Sequence, residues 1–302
     1  FRLGLEAVGG KIVLSSEIDK YAIQTYKNWF NEDSEGNLFD YKSSDIPDHD
    51  ILTAGFPCQP FSVAGVVSNK HWDKTKPENL KKKSGFQYTD QKEGGDQGQV
   101  FNGLLNIIKR KRPKAIILEN VRGLLSHDKG NTWKVIQEEL KKAQYDIHFK
   151  VIDAVHWVPQ HRRRIFIVGF DKKQFDTNKV DFFSFPTEPI TELKIGSILQ
   201  KRVKEKYTLK DGTWNSLQTI RERNRNMPKG QKKGFGYSIV DREGPSRTLT
   251  KRYFKDGAEI LIKQKNKNPR RLTPLEALRL MGFDQIENQF DNTDEIFVVS
   301  DS

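Results

Sequence analysis

Gly55-Phe56-Pro57-Cys58-Gln59-Pro60-Phe61-Ser62 carries the only cysteine in a chain of 302 residues. The run Asp50-Ile51-Leu52-Thr53-Ala54 leads into it. It predicts a strand that delivers Cys58 onto a turn bounded by Gly and Pro. At the carboxyl edge of a parallel sheet such a turn is a setting for a nucleophile. A lone cysteine is also commonly a small buried hydrophobe, so this residue by itself leaves both readings open.

Working outward, strand and helix patterns alternate. Toward the start, Phe1, Leu3, Leu5 and Val8 predict a helix stopped by Gly9-Gly10. Residues 11–17 predict a buried strand closing on the carboxylate of Glu17, and residues 19–30 a further helix. Toward the end, residues 100–110 predict an amphipathic helix, and Ala115-Ile116-Ile117-Leu118 a short strand ending at Glu119-Asn120-Val121. A helix capped near Asn131-Thr132 follows, running through Val135, Ile136 and Leu140. Strands are expected at 147–154 and 165–170, the second preceded by Gln160-His161-Arg162-Arg163-Arg164. This alternation predicts an α/β fold over residues 1–186, with a doubly wound, mostly parallel sheet.

Two stretches break the pattern. Residues 66–97 are polar and include Lys81-Lys82-Lys83. Beside a candidate nucleophile so long a loop reads as a mobile basic lid, with a solvated insertion as the alternative. From 187 to 268 Lys, Arg and Gly dominate with scattered aromatics, which predicts a second, smaller, mixed domain. Residues 269–302 are expected to return and pack on the first domain, through a helix with Thr273 as N-cap, Pro274 at its first position, Glu276 in its first turn and a stop at Gly282.

A net charge of +12 and a pI near 9.5 favour a polyanionic partner, although a merely basic, solvated surface gives the same balance. One cysteine makes no internal disulfide and no Cys-rich zinc site, so a reducing, cytoplasmic setting and no metal are expected. No apolar run approaches the roughly 18 residues of a membrane span, and Phe1-Arg2-Leu3-Gly4 lacks the pattern of a secretory signal.

Cys58, Glu119 and the Arg162/Arg164 pair all fall at ends of strands expected to run parallel. A thiolate, a carboxylate and two guanidiniums are therefore candidates to converge in one crevice. Taken alone, Glu119 also reads as a strand-end surface group and the arginine run as a solvated charge cluster. A cysteine protease fits poorly, because His161 is the one histidine in a distinctive setting.

Taken together and in this order, the Cys58 octapeptide, Glu119-Asn120-Val121 and Gln160-His161-Arg162-Arg163-Arg164-Ile165 resemble the catalytic motifs of the DNA (cytosine-5)-methyltransferases. Thr273-Pro274-Leu275-Glu276-Ala277-Leu278-Arg279-Leu280-Met281-Gly282-Phe283 resembles the helix that follows the family's target-recognition domain. The resemblance implies S-adenosyl-L-methionine as methyl donor, with S-adenosyl-L-homocysteine as product. It implies a Cys58 thiolate adding to C6 of a cytosine flipped out of duplex DNA, Glu119 holding the ring, and Arg162 and Arg164 positioning both. Glu17 would take the ribose hydroxyls and Ile18 the adenine. Asn37, where the family usually has Asp, would contact the adenine amine, with Leu38, Pro57 and Val100 lining the pocket. Gln59, Ser62, Ala64, Tyr237, Arg247, Thr248, Lys251 and Arg252 would face the DNA.

The recognition region resembles those of bacterial enzymes acting on CCGG, CCNGG or CCWGG sites. That implies a monomeric, bacterial restriction–modification enzyme with a cognate endonuclease, associated with the nucleoid when on DNA. A tRNA-acting relative and a catalytically silent DNA-binding relative are the alternatives. The family's Phe-x-Gly-x-Gly turn would precede Phe1 and its Gly-Asn segment would follow Ser302, so a polypeptide of only these residues is expected to bind the cofactor poorly.

Overall fold

A computed structural model describes residues 1–34, 36–42, 44–56, 98–176, 183–225, 227–228 and 236–290. The chain divides into two compact units: Phe1–Ile152 with Arg164–Phe185, and Asp153–Arg163 with Pro186–Ser302. The 187–268 and 269–302 segments thus fall in the same unit.

The first unit holds helices α1 (Arg2–Glu6), α2 (Lys20–Phe30), α3 (Gly98–Lys111) and α4 (Asn131–Lys142) and a sheet of β1 (Ile51–Gly55), β2 (Ala115–Val121), β3 (Tyr145–Asp153) and β4 (Arg163–Asp171). The strand order is β1-β2-β4-β3. Asp19 caps α2, its carboxylate accepting from the N–H groups of Tyr21 and Ala22. Helix α3 buries Phe101, Leu104, Leu105 and Ile108, the i, i+3, i+4, i+7 stripe of an amphipathic helix. In β2 the alternate residues Ile116, Leu118 and Asn120 are buried, which leaves Glu119 on the half-buried face. Ile165 and Ile167 of β4 complete this core.

Gly169 sits where β4 is overlaid from both sides. A Cβ there would lie 2.8 Å from Ile116 of β2 and 2.9 Å from Ile147 of β3, so the close packing of three strands requires glycine at this position.

Two expectations are corrected. The sheet is mixed among the described strands, because β1 and β2 are parallel whereas β2 and β4 are antiparallel. Residues 11–17 form no buried strand: a single bridge falls at Ser16, and Val13 is exposed. Leu14 reaches the core, but no ladder among the described residues covers both faces of this segment.

The second unit holds α5 (Asp211–Arg225), α6 (Tyr253–Asp256), α7 (Pro274–Leu280) and α8 (Asp284–Glu287). Its apolar centre is Ile195, Ile260, Ile262, Leu272 and Leu280. Tyr253 stitches it, its hydroxyl donating to the Ile260 carbonyl at 2.7 Å and accepting from the Leu272 N–H at 2.7 Å.

Helix α7 opens with a complete capping box. Thr273 Oγ1 accepts from the Glu276 N–H, and Glu276 Oε2 accepts from the Thr273 N–H. The same Glu276 side chain, 0% exposed, pairs bidentately with Arg270 at 2.7 and 2.8 Å and accepts the Gln200 N–H. Every lone pair of this buried carboxylate therefore meets a donor, the condition under which a desolvated ion pair is tolerated.

Glu276→Ala strands the Arg270 guanidinium in the interior and is expected to cost about 3–5 kcal/mol. Thr273→Ala, which removes the cap and the hydroxyl's bond to Gln200 Oε1 but leaves the Arg270–Glu276 pair in place, is expected to cost less, about 1–2 kcal/mol. Urea denaturation of both variants checks the ranking.

Candidate active site

The first unit brings Glu119 and Arg164 together. Glu119 lies in β2 opposite Gly55 of β1, and Val121 lies opposite Arg164 of β4. Arg164 is thus the diagonal neighbour of Glu119 on the same face. Arg164 Nε donates to Glu119 Oε1 at 2.7 Å, and both side chains are partly exposed. Because β4 runs antiparallel, Arg164 stands at the beginning of its strand. The reversal is what carries a residue from a strand's start to the edge where β1 and β2 end.

The second carboxylate oxygen lies over Gly55, where an added Cβ would meet Glu119 Oε2 at 3.3 Å. Any side chain here presses on the carboxylate, so the glycine keeps that oxygen open. Beside it the buried Asn120 Nδ2 donates to the Phe56 carbonyl at 2.9 Å, and Asn120 Oδ1 accepts the Val121 N–H at 2.8 Å. Asn120 therefore fixes the backbone at the last residue before Pro57. Sequence reasoning placed Asn120 in a motif without giving it this task, since a strand-end amide carries no signal of which carbonyl it will meet.

Pro57, Cys58, Gln59, Ser62, Ala64 and the 66–97 stretch lie outside the described residues. Of the cofactor candidates, Glu17 Oε1 accepts from the N–H groups of Ile18 and Asp19 at 2.8 and 2.9 Å. These bonds orient the carboxylate immediately ahead of α2. Ile18 is 73% exposed. An oriented carboxylate next to an accessible aliphatic side chain matches the diol and base face of a nucleoside. Asn37 Oδ1 accepts the Phe39 N–H at 3.1 Å and caps a short helical turn. Leu38 and Val100 pack on the core.

Arg162 belongs to the second unit, where its Nη1 donates to the Leu249 carbonyl at 3.3 Å. There it shares a cluster with Thr248, whose hydroxyl donates to the His161 carbonyl. Gln160, fully buried, joins three segments: Nε2 donates to the Leu280 carbonyl at 3.0 Å, Oε1 accepts the Leu249 N–H at 2.8 Å, and the backbone bridges Ser246. Arg247, Lys251 and Arg252 are exposed. Tyr237 packs edge-on against Trp214 at 4.8 Å, with the Arg221 guanidinium 4.7 Å from its ring centroid.

Asp153 organises the approach to Arg162. Its carboxylate accepts from the Arg162 N–H at 2.9 Å and Arg163 Nε at 3.0 Å, and His161 Nδ1 lies 3.0 Å away. Burial acts to raise this carboxyl. The hydrogen bonds from His161, Arg163 and the Arg162 and Val155 backbones outweigh it and hold the group at about 2.

The family profile described as C-5 cytosine-specific DNA methylase matches residues 1–299. The type II methyltransferase M1.ScrFI of Lactococcus lactis subsp. cremoris is 45% identical over 90% of this chain and 63% of its own length. M.DsaV of Dactylococcopsis salina is 42% identical over 93% of this chain and 72% of its own. The chain therefore spans about two thirds of the length of these relatives. The S. pombe Dnmt2 methyltransferase structure aligns with a TM-score of 0.64 at 16% identity, covering 99% of this chain and 89% of that one. That likeness speaks to the fold alone.

Two outcomes test this geometry. Gly55→Ala is expected to crowd Glu119 Oε2 and to lower any activity that uses the carboxylate, by roughly tenfold or more, with unfolding by urea little changed. Asp153→Asn is expected to cost about 1–2 kcal/mol near neutral pH. A depressed carboxyl stabilises the fold above its unfolded value of 3.8. The difference from the parent chain should therefore vanish as pH falls from 3.8 toward about 2, measured by urea midpoints across that range.

Proposed function

We propose that this chain, which belongs to the C-5 cytosine-specific DNA methylase family, methylates C5 of a cytosine flipped out of a short, specific duplex sequence. The observation that carries the reading is the Glu119–Arg164 pair at the sheet edge beside Gly55, with Asn120 tethering the chain that leads to Cys58. Enzymes of this family use S-adenosyl-L-methionine, which when bound supplies the methyl group. The orientation of Glu17 and the accessibility of Ile18 fit its nucleoside.

C5 of an intact cytosine is a weak nucleophile. The Cys58 thiolate adds to C6, forming an S–C6 bond; the C5–C6 π pair shifts to C4–C5 and the C4–N3 π pair onto N3, which takes up a proton, so that C5 becomes enamine-like. Glu119 holds N3 and the exocyclic amine as charge develops there, its open Oε2 facing the base. Arg164, donating to Oε1, keeps the carboxylate aligned. After methylation the C5 proton leaves to a base, the C5–C6 double bond re-forms and the thiolate departs. By its place in the motif, Arg162 is the second guanidinium that positions the base.

Residues 187–268 form the target-recognition domain, with Tyr237, Arg247, Thr248, Lys251 and Arg252 toward the DNA. The likeness of that segment to enzymes acting on CCGG, CCNGG or CCWGG supports one of these sites. Relatives such as M1.ScrFI bear the name of type II methyltransferases, which supports protective methylation alongside a cognate endonuclease. The enzyme acts as a cytoplasmic monomer. Among the described residues no helix is long and apolar enough to cross a membrane.

The test is transfer of labelled methyl groups to duplexes bearing each candidate site. With 5-fluorocytosine in place of the target base the C5 substituent cannot leave as a proton, and a covalent adduct is expected. Cys58→Ser should abolish both adduct and turnover. Glu119→Gln should lower turnover about 10²–10³-fold. Near-normal turnover by Cys58→Ser removes the mechanism.

A further inference from the structure

The second unit contains a cleft of about 760 Å³ lined by Lys201, Arg202, Arg242, Lys263, Lys265 and Arg270, with no carboxylate in its wall among the described residues. Arg270 is neutralised by its buried pairing with Glu276. The other five cations pair with no carboxylate among the described residues. Their neighbours behave differently: Lys194 pairs with Glu243 at 2.8 Å, and Lys267 with Glu205 at 2.6 Å. Glu243 and Glu205 are therefore engaged by lysines that do not line the cleft, and among the described residues the charges in its lining are all positive. Such an arrangement raises the local concentration of anions and is relieved when an anion enters.

The wall is firmly built. Gly196 donates its N–H to the Arg242 carbonyl at 2.9 Å, and a Cβ at Gly196 would meet that oxygen at 2.8 Å. Glu276 holds the Gln200 backbone, and Gln200 Oε1 accepts from Thr273 Oγ1 at 2.6 Å. Gln264 Nε2 is fixed by donation to Thr208 Oγ1 and the Asn268 carbonyl. The backbones bearing Lys201, Arg242, Lys263 and Lys265 are thus set in place before any ligand arrives, which reduces the ordering cost of binding.

We infer that this cleft is a phosphate-binding site, separate from the recognition residues above, that takes consecutive phosphates of a polyanion. Three lysines and two arginines around a wide opening suit phosphate oxygens, which need positive charge and no fixed donor pattern. The source is either duplex DNA, in which case the inference rests on the proposed DNA function, or a free polyphosphate. Bound duplex would be held in register without regard to sequence.

The experiment uses the full chain and the triple variant Lys201→Gln/Lys263→Gln/Lys265→Gln, with circular dichroism as a check that the variant is folded. Binding of a labelled random-sequence duplex is followed by anisotropy across a salt series. Tripolyphosphate binding is followed by calorimetry at matched ionic strength. The expected result is at least a tenfold weaker duplex complex, a salt slope shallower by about one per cation removed, and loss of the tripolyphosphate heat. Loss of tripolyphosphate binding with duplex binding unchanged supports the site and assigns it to a free anion. Unchanged binding of both overturns it and leaves the methylase reading standing. Failure of the parent chain to bind duplex at all overturns that reading instead, and the calorimetry then decides the cleft alone.

Discussion

The pairing of β4 against β2 in antiparallel register is the constraint on which the first unit depends. Val121 opposite Arg164 fixes which side chains share a face with Glu119, and a slip of one residue would turn Arg164 away from the carboxylate. Three features hold the register. Ile116 faces Gly169, where only a glycine leaves room for it and for Ile147. Ile165 and Ile167 enter the core between the helices' apolar stripes. The parallel pairing of β1 with β2 sets Gly55 beside Glu119. The carboxylate is thus shaped by packing at some distance from it, and the polar contacts at the edge inherit their accuracy from an apolar interior.

How much of this was written plainly in the sequence depended on how local the signal was. The start of α7, with Thr273, Pro274 and Glu276, is complete within four residues and reads directly, whereas the sequence reading puts Asp19 inside the helix that it caps. Strand direction was not legible: 165–170 is an apolar run that looks the same either way, and its orientation follows from which strand it lies beside. Helix α5 gave no periodic signal because it has no buried residue from which a period arises. The segment 11–17 was apolar enough for a strand, yet sequence does not say whether a neighbour will pair with it. The Glu119–Arg164 pair was anticipated from motif resemblance, whereas the roles of Asn120, Asp153 and Gln160 depend on partners 64, 8–10 and 89–120 positions away.

The two units manage charge in different ways. In the second, a carboxylate with no exposure is fully satisfied by one guanidinium and two backbone donors, while lysines around the cleft are left in water. In the first, Glu119 keeps one oxygen engaged and the other unobstructed over a glycine. Complete satisfaction specifies a fold; partial satisfaction at a half-open edge leaves a group able to meet something else.

Gln160 has a consequence for how such proteins diversify. Its amide reads two backbone positions at once, the Leu249 N–H and the Leu280 carbonyl, from the interior of the second unit. A segment transplanted into the second unit from a relative must therefore reproduce the spacing of those two peptide groups, whatever else in it differs. The amide works as a gauge on module exchange: it constrains the ends of the inserted piece and leaves the middle free to drift.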